Sequence, residues 1–287
     1  MTQFSGIHCV LFALFDRNER LDRRAMKAQI TYIQAQGADG VTVLGLATEV
    51  GKLSFTERCT LIDWAAEDVG DLPLSVTIAG NSVAEQTDLV RHAETAGAAW
   101  LILQPPIVGA HAASEYIDFF ARVGRNTHLP FAIQNAPQYL GRSLSDDDIA
   151  VLRDQCTNFT LIKTETPAIE LAALVARVGD RLTILNGRGG LEMTDCLRAG
   201  CKGFIVAPDV LSGVTACYRA WQAGDWDKAE ADYKQFLPAA SFGMQSLEQL
   251  ICYGKRVFGL RAGLDIHDRS PAMRPTEFGL ALARGWA

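Results

Sequence analysis

The chain has 287 residues, 48% apolar and 21% charged, a globular composition that excludes disorder and suits one large domain or two ordinary ones. Its net charge of -6 and scattered Lys and Arg offer no basic footprint for nucleic acid or an anionic membrane surface. Seven cysteines without a CxxC pair argue against a disulfide framework and suggest thiols of a reducing cytoplasm, and the five histidines form no HExxH-like metal pattern.

The first apolar run, His8 to Phe15, follows MTQFSG, which lacks a basic residue, and precedes DRNER, where a signal peptide would carry a small-residue cleavage site. It therefore reads as a first strand, and no run approaches the roughly 18 apolar residues of a membrane span. Leu21 to Gln36 predicts a helix that Gly37 terminates before a second strand at 40 to 46. The same punctuation recurs at Gly97 before Trp100 to Leu103, and at Gly200 before Gly203 to Ala207. SFTE at Ser54 and SVAE at Ser82 fit capping boxes that open helices.

Strands are expected at roughly 7 to 15, 40 to 46, 73 to 79, 100 to 104, 130 to 135, 159 to 165, 182 to 186 and 203 to 207, each followed by a helix-sized segment. Such alternation implies a parallel sheet with helices outside, and eight units closing on themselves make a (β/α)8 TIM barrel, an α/β fold. An open doubly wound sheet is the competitor, but no GxGxxG follows a strand. After the barrel, 1-224, the strands stop. Helical stretches at about 226 to 236, 242 to 258 and 275 to 284 form an extension, 225-287, expected to pack on the barrel as part of one domain.

The organising stretch is FTLIKTETP, Phe159 to Pro167. Phe159 to Ile162 is short, apolar and β-prone, so Lys163 sits at the end of a buried strand, the only lysine so placed. Burial disfavours an ammonium ion, which makes a lysine there suited to Schiff-base chemistry. Strand periodicity sends Glu165 to the same side as Lys163. The bland alternative is an ammonium that snorkels to water or pairs with Glu165 for structural reasons.

Barrel function belongs at the C-terminal strand ends. Those ends carry GLATE (Gly45 to Glu49), QNAP (Gln134 to Pro137), Lys163 with Glu165, and NGRGG (Asn186 to Gly190). Glu49 is expected to favour the N-terminus of the next helix by its charge. GRGG reads as a turn or substrate-hydroxyl contact ahead of a phosphate cradle, and Gln134 as a rim polar group or a substrate contact.

On these residues the chain resembles the dihydrodipicolinate synthase and N-acetylneuraminate lyase family, barrel enzymes that bind a 2-oxo acid as a Schiff base on a sixth-strand lysine. The resemblance spans nearly the whole chain. Lys163 matches that lysine, and GLATEVGKLSFTER stands where the family has its GTTGE loop and following helix. Leu46, Ala47 and Thr48 replace its Thr-Thr-Gly; Asn135, Asn186, Gly187, Arg188 and Ile205 fall near the expected ketoacid. Gln134 stands where the family carries a proton-relaying tyrosine, Tyr139 where dihydrodipicolinate synthase carries an arginine, and Ile107 where a neighbouring subunit lends an aromatic residue. The glutamine, the KxETP spacing and the glycine pair look most like the L-2-keto-3-deoxyarabonate dehydratase branch.

The resemblance implies a cytoplasmic lyase without a cofactor or metal, a small-molecule 2-oxo acid as its partner, and a homotetramer built as a dimer of dimers. The leading expectation is dehydration of a 2-keto-3-deoxy sugar acid, with Lys163, Glu165 and Gln134 as the catalytic set. The alternatives are retro-aldol cleavage that releases pyruvate, and a catalytically weak small-molecule-binding protein on the same scaffold.

Overall fold

The computed structural model describes residues 4–287; the first three residues of MTQFSG lie outside that range. Eight strands, β1 (Gly6–Val10), β2 (Gly40–Val43), β3 (Leu74–Ile78), β4 (Trp100–Leu103), β5 (Phe131–Asn135), β6 (Phe159–Thr164), β7 (Thr183–Asn186) and β8 (Gly203–Val206), close in sequence order into one parallel barrel. Closure comes from β1 pairing β8, with Gly6 beside Gly203. This is the expected (β/α)8 architecture. The strands are almost wholly buried, because helices cover one face and the barrel interior the other, which accounts for their continuous apolar runs.

The helices between them are α1 (Arg23–Ala35), α2 (Phe55–Asp68), α3 (Val83–Thr95), α4 (Ala113–Gly124), α5 (Pro137–Leu140), α6 (Asp146–Gln155), α7 (Ala168–Val178), α8 (Met193–Arg198) and α9 (Leu211–Gln222). The glycines that end α1, α3 and α8 have φ of 73°, 92° and 105°, a left-handed conformation that costs a residue without Cβ little. Ser54 and Glu57 form the full reciprocal capping box of α2. At α3 only half of it forms: Ser82 accepts from Glu85 N–H, while the Glu85 carboxylate turns to Asn81 N–H at 2.9 Å.

The first strand is shorter than its apolar run suggests. It leaves the ladder at Val10, and Leu11 to Phe15 are buried instead as a connection, with Phe15 bridging Leu21 and His267. Apolarity there serves the contact with the C-terminal helices, where Phe12 lies 6.2 Å from the Phe258 ring. Those helices are α10 (Trp226–Gly243), α11 (Leu247–Gln249) continuing through a π turn at Leu250–Gly254 into α12 (Lys255–Ala262), and α13 (Glu277–Trp286). The sequence reading ended the first of them at 236, before Pro238, but α10 runs on through that proline. Its buried Phe236, Ala240 and Gly243 carry the packing, and Phe236 fills the space left by the missing side chain of Gly213.

Candidate active site

Strand register places the central groups side by side: Gln134 of β5 pairs with Lys163 of β6, which pairs in turn with Leu185 of β7. The ladder persists one residue past β6, where Glu165 N–H donates to Asn135 O at 3.2 Å, so Lys163 and Glu165 project to one side as period-2 geometry requires. Lys163 Nζ lies 3.1 Å from Glu165 Oε1, and the two residues are 4% and 6% exposed. A largely buried amine beside a carboxylate is the result.

Three N–H donors converge on that carboxylate. Besides Lys163, Gln134 Nε2 donates to Glu165 Oε1 at 2.9 Å, and Arg188 N–H approaches Oε2 at 3.4 Å. Gln134 Oε1 accepts from Gln104 Nε2 at 2.8 Å, and the main-chain oxygen of Gln104 accepts from Gln86 at 2.8 Å. A buried relay of amides from α3 and the β4 and β5 ends thus fixes the carboxylate. Gly187 is required by the same group: a Cβ there would stand 2.8 Å from the Glu165 carboxyl carbon.

The cavity above Lys163 has a volume of about 50 Å³ and is walled by Val10, Leu46, Ala47, Tyr139, Glu165 and Ile205, among others. Met244, Leu247 and Leu250 of the C-terminal helices complete it. A larger cavity of about 520 Å³ adjoins it through the shared residues Leu46 and Leu247, but Lys163 and Glu165 do not line that one. The chemistry belongs to the smaller space.

The loop after β2 is a strained turn. Leu44 and Glu49 hold φ of 65° and 57°, uncommon for residues with a Cβ, on either side of the 3₁₀ turn Leu46–Thr48. That turn uses the N–H groups of Thr48 and Glu49 internally, and the Thr48 hydroxyl donates to Leu11 O at 2.5 Å. Glu49 precedes a short 3₁₀ turn, Val50–Lys52, and α2 starts later at its Ser54 cap. The Glu49 carboxylate is buried between Lys255, an ion-pair partner, and Lys52 at 2.6 Å.

The proposed binding residues fall into two groups. Leu46, Ala47 and Ile205 face the Lys163 cavity, and Gly187 backs onto Glu165. The others have local partners. The Asn135 amide exchanges hydrogen bonds with the Leu144 main chain, at 3.0 and 2.9 Å, which pins the segment after β5. Asn186 reaches Thr166 O and Cys196 Sγ, and Arg188 pairs with Glu192 at 2.7 Å.

Sequence reasoning passed over Gln104, although it leaves the apolar strand WLIL as Gln134 leaves its own and the same strand-end rule would have found it. Tyr139 was noted only for the arginine it replaces, yet it lines the cavity, and burial and the nearby Glu165 charge push its phenol up. The wall from Met244 to Leu250 carried no local signal. Among the described residues no cluster of three metal-ligating side chains occurs, and no helix is long and apolar enough to cross a membrane.

Comparison with known proteins finds relatives over most of the chain. The chain is 28% identical over 240 residues to L-2-keto-3-deoxyarabonate dehydratase of Azospirillum brasilense, covering 81% of this chain and 77% of that protein. It is 26% identical over 272 residues to "Probable 2-dehydro-3-deoxy-D-pentonate aldolase YjhH" of Escherichia coli (strain K12), covering 91% and 89%. Among solved structures, YagE of E. coli K12, described as a prophage protein of the dihydrodipicolinic acid synthase family in complex with pyruvate, superposes with a TM-score of 0.90 over 99% of this chain and 97% of that one; at 23% identity this speaks for the fold alone. The family model described as "Dihydrodipicolinate synthetase family" matches residues 3–265, and the chain accordingly belongs to that family of aldolases and dehydratases.

Proposed function

We propose that the protein is a Schiff-base lyase that dehydrates a 2-keto-3-deoxy sugar acid, a small-molecule 2-oxo acid, on Lys163. The observation that carries this is the cavity in which the Lys163 amine, 4% exposed, stands 3.1 Å from the Glu165 carboxylate at the C-terminal end of β6. Attack of the amine on the C2 carbonyl gives an iminium that draws electrons from C3. Glu165, held by Gln134 and the Arg188 N–H, takes the C3 proton, and the enamine expels the C4 hydroxyl as water. The C1 carboxylate is assigned to the amides of Leu46 and Ala47, which the 3₁₀ turn does not use for its own bonds. No cofactor enters these steps.

Dehydration is favoured by Gln134, since an amide offers no titratable group to take the C4 hydroxyl proton that retro-aldol cleavage must remove. The Tyr139 phenol, pushed up by burial, holds its own proton at neutral pH and offers no base either. Retro-aldol cleavage remains the second reading, because the relative named as a pentonate aldolase matches the larger share of the chain. The deciding experiment has two parts. Borohydride reduction with pyruvate should add the ligand's mass to the Lys163 peptide and to no other. Incubation with a 2-keto-3-deoxy pentonate or hexonate should then give a semialdehyde with no free pyruvate. Pyruvate release selects the aldolase; absence of both products selects a binding protein on the same scaffold. Assembly as a dimer of dimers is part of the proposal, supported by the exposed Ile107 and Val108 on the loop after β4, and light scattering tests it.

A further inference from the structure

Elimination of water moves protons at two atoms: one leaves C3 and one must join the oxygen departing from C4. Glu165 is suited to the first task, because its oxygens accept from Lys163, Gln134 and the Arg188 N–H in the manner of an acceptor-only carboxylate. The second task needs an O–H at the cavity wall. Gln134 cannot titrate and both ends of its amide are engaged. The Thr48 hydroxyl is committed to Leu11 O. Asp209 also borders the cavity, but its carboxyl group is turned beneath the C-terminal helices, where a Cβ on Gly254 or Gly243 would meet its Oδ2 at 3.0 or 3.2 Å.

Tyr139 remains. Tyr139 is half-buried and lines the cavity with Lys163 and Glu165, and no hydrogen bond joins its phenol oxygen to protein among the described residues. The hydroxyls of Tyr218, Tyr233 and Tyr253 bond to Lys202 O, Glu192 N–H and Thr276 N–H; those of Tyr32 and Tyr116 lack such a bond as Tyr139 does, but neither residue lines the Lys163 cavity. The phenol is also presented from a fixed turn. Pro137 starts α5, Tyr139 N–H donates to Ala136 O at 3.1 Å, and Gly141 ends the turn at φ 67°. The Asn135 and Leu144 exchange closes the segment, while Arg142 ties it to Pro106 O and Leu140 O.

We propose that Tyr139 is a catalytic acid, which protonates the C4 hydroxyl as it departs while Glu165 serves as the base at C3. The inference rests on the dehydratase reading above. As the C4–O bond breaks, its electron pair leaves on oxygen and the phenol proton completes a water molecule. The enamine becomes an α,β-unsaturated iminium, and the phenolate recovers the proton that Glu165 took from C3. Atoms and charge balance without an outside reactant. Burial and the charge of Glu165 both raise the phenol's affinity for its proton, so it enters the cycle protonated at neutral pH.

The test uses the full-length protein and its Tyr139→Phe variant with a 2-keto-3-deoxy pentonate and its 4-fluoro analogue, whose fluoride leaves without a proton. With the hydroxy substrate the variant should lose about 10² to 10⁴ in turnover, the usual yield of general acid catalysis. Borohydride trapping of pyruvate on Lys163 should be unchanged, and fluoride release should stay within about threefold of the parent. Hydroxy-substrate turnover within about threefold of the parent overturns the proposal. An equal loss with both substrates also overturns it, since Tyr139 would then only position the substrate. A parent protein that traps pyruvate but forms no dehydration product defeats the dehydratase reading itself, an outcome read before any variant is made.

Discussion

Two buried lysine and glutamate pairs differ in what surrounds them. Lys163 and Glu165 meet 3.1 Å apart at the wall of a cavity, with the amine facing open space. Lys255 and Glu49 meet with both side chains sealed: Lys255 is 0% exposed, lies over the Phe15 ring at 5.4 Å, and shares its glutamate with Lys52. Burial pushes the Lys255 amine down, and Glu49 opposes that shift. One pair ties the loop after β2 to the C-terminal helices. The other leaves its amine at a cavity wall. Burial and pairing alone therefore do not distinguish the two lysines; the cavity beside Lys163 does, and the proposed chemistry needs that space.

This contrast can be broken or sharpened. The largest effect is expected from Lys163→Ala, which should abolish the borohydride adduct and turnover while lowering the melting temperature less than Lys255→Met does; the reverse order of stabilities would sink the comparison. Glu165→Gln keeps shape and removes the titratable group, so turnover should fall by about 10² to 10⁴ with trapping on Lys163 intact. Denaturant melts of Lys255→Met should show a loss of about 3 to 5 kcal/mol, because Glu49 would keep its burial without its main counter-charge.

Asp209 supplies the smallest effect and a third case, a buried carboxyl whose Oδ1 has no partner. Burial raises it from 3.8 to about 6. A folded-state value above the unfolded one contributes stability that is whole below the unfolded value and is lost as pH rises through the folded one. Asp209→Asn should thus gain on the parent in thermal melts as pH climbs from about 4 to about 7. A constant difference across that range would mean that the carboxyl does not titrate there.

The barrel was legible because its signals are local and repeated: left-handed glycines at the ends of α1, α3 and α8, capped helix starts, and apolar strands of even spacing. Lys163 and Glu165 were legible for a similar reason, since two residues along one strand determine which side they share. Lys255 was not. It sits in a helix, where lysine is unremarkable, and its partner is 206 positions away, so only the folded chain brings Glu49 to it. The same distance hid the cavity wall at Met244 and Leu250. The end of α10 was not legible either, because it rests on the packing of Phe236, Ala240 and Gly243 and not on a local stop signal.

The late origin of that wall bears on how the protein is made. A chain leaves the ribosome N-terminus first. Its barrel cannot close until β8 reaches β1, and the roof over Lys163 arrives only with Met244 to Leu250. Until Lys255 follows, Glu49 has no buried cation to receive it. A message cut short after the eighth strand would therefore yield a product with a complete set of strands, an unroofed lysine and a stranded carboxylate. The wall over Lys163 is thus added only after every strand of the barrel has been made.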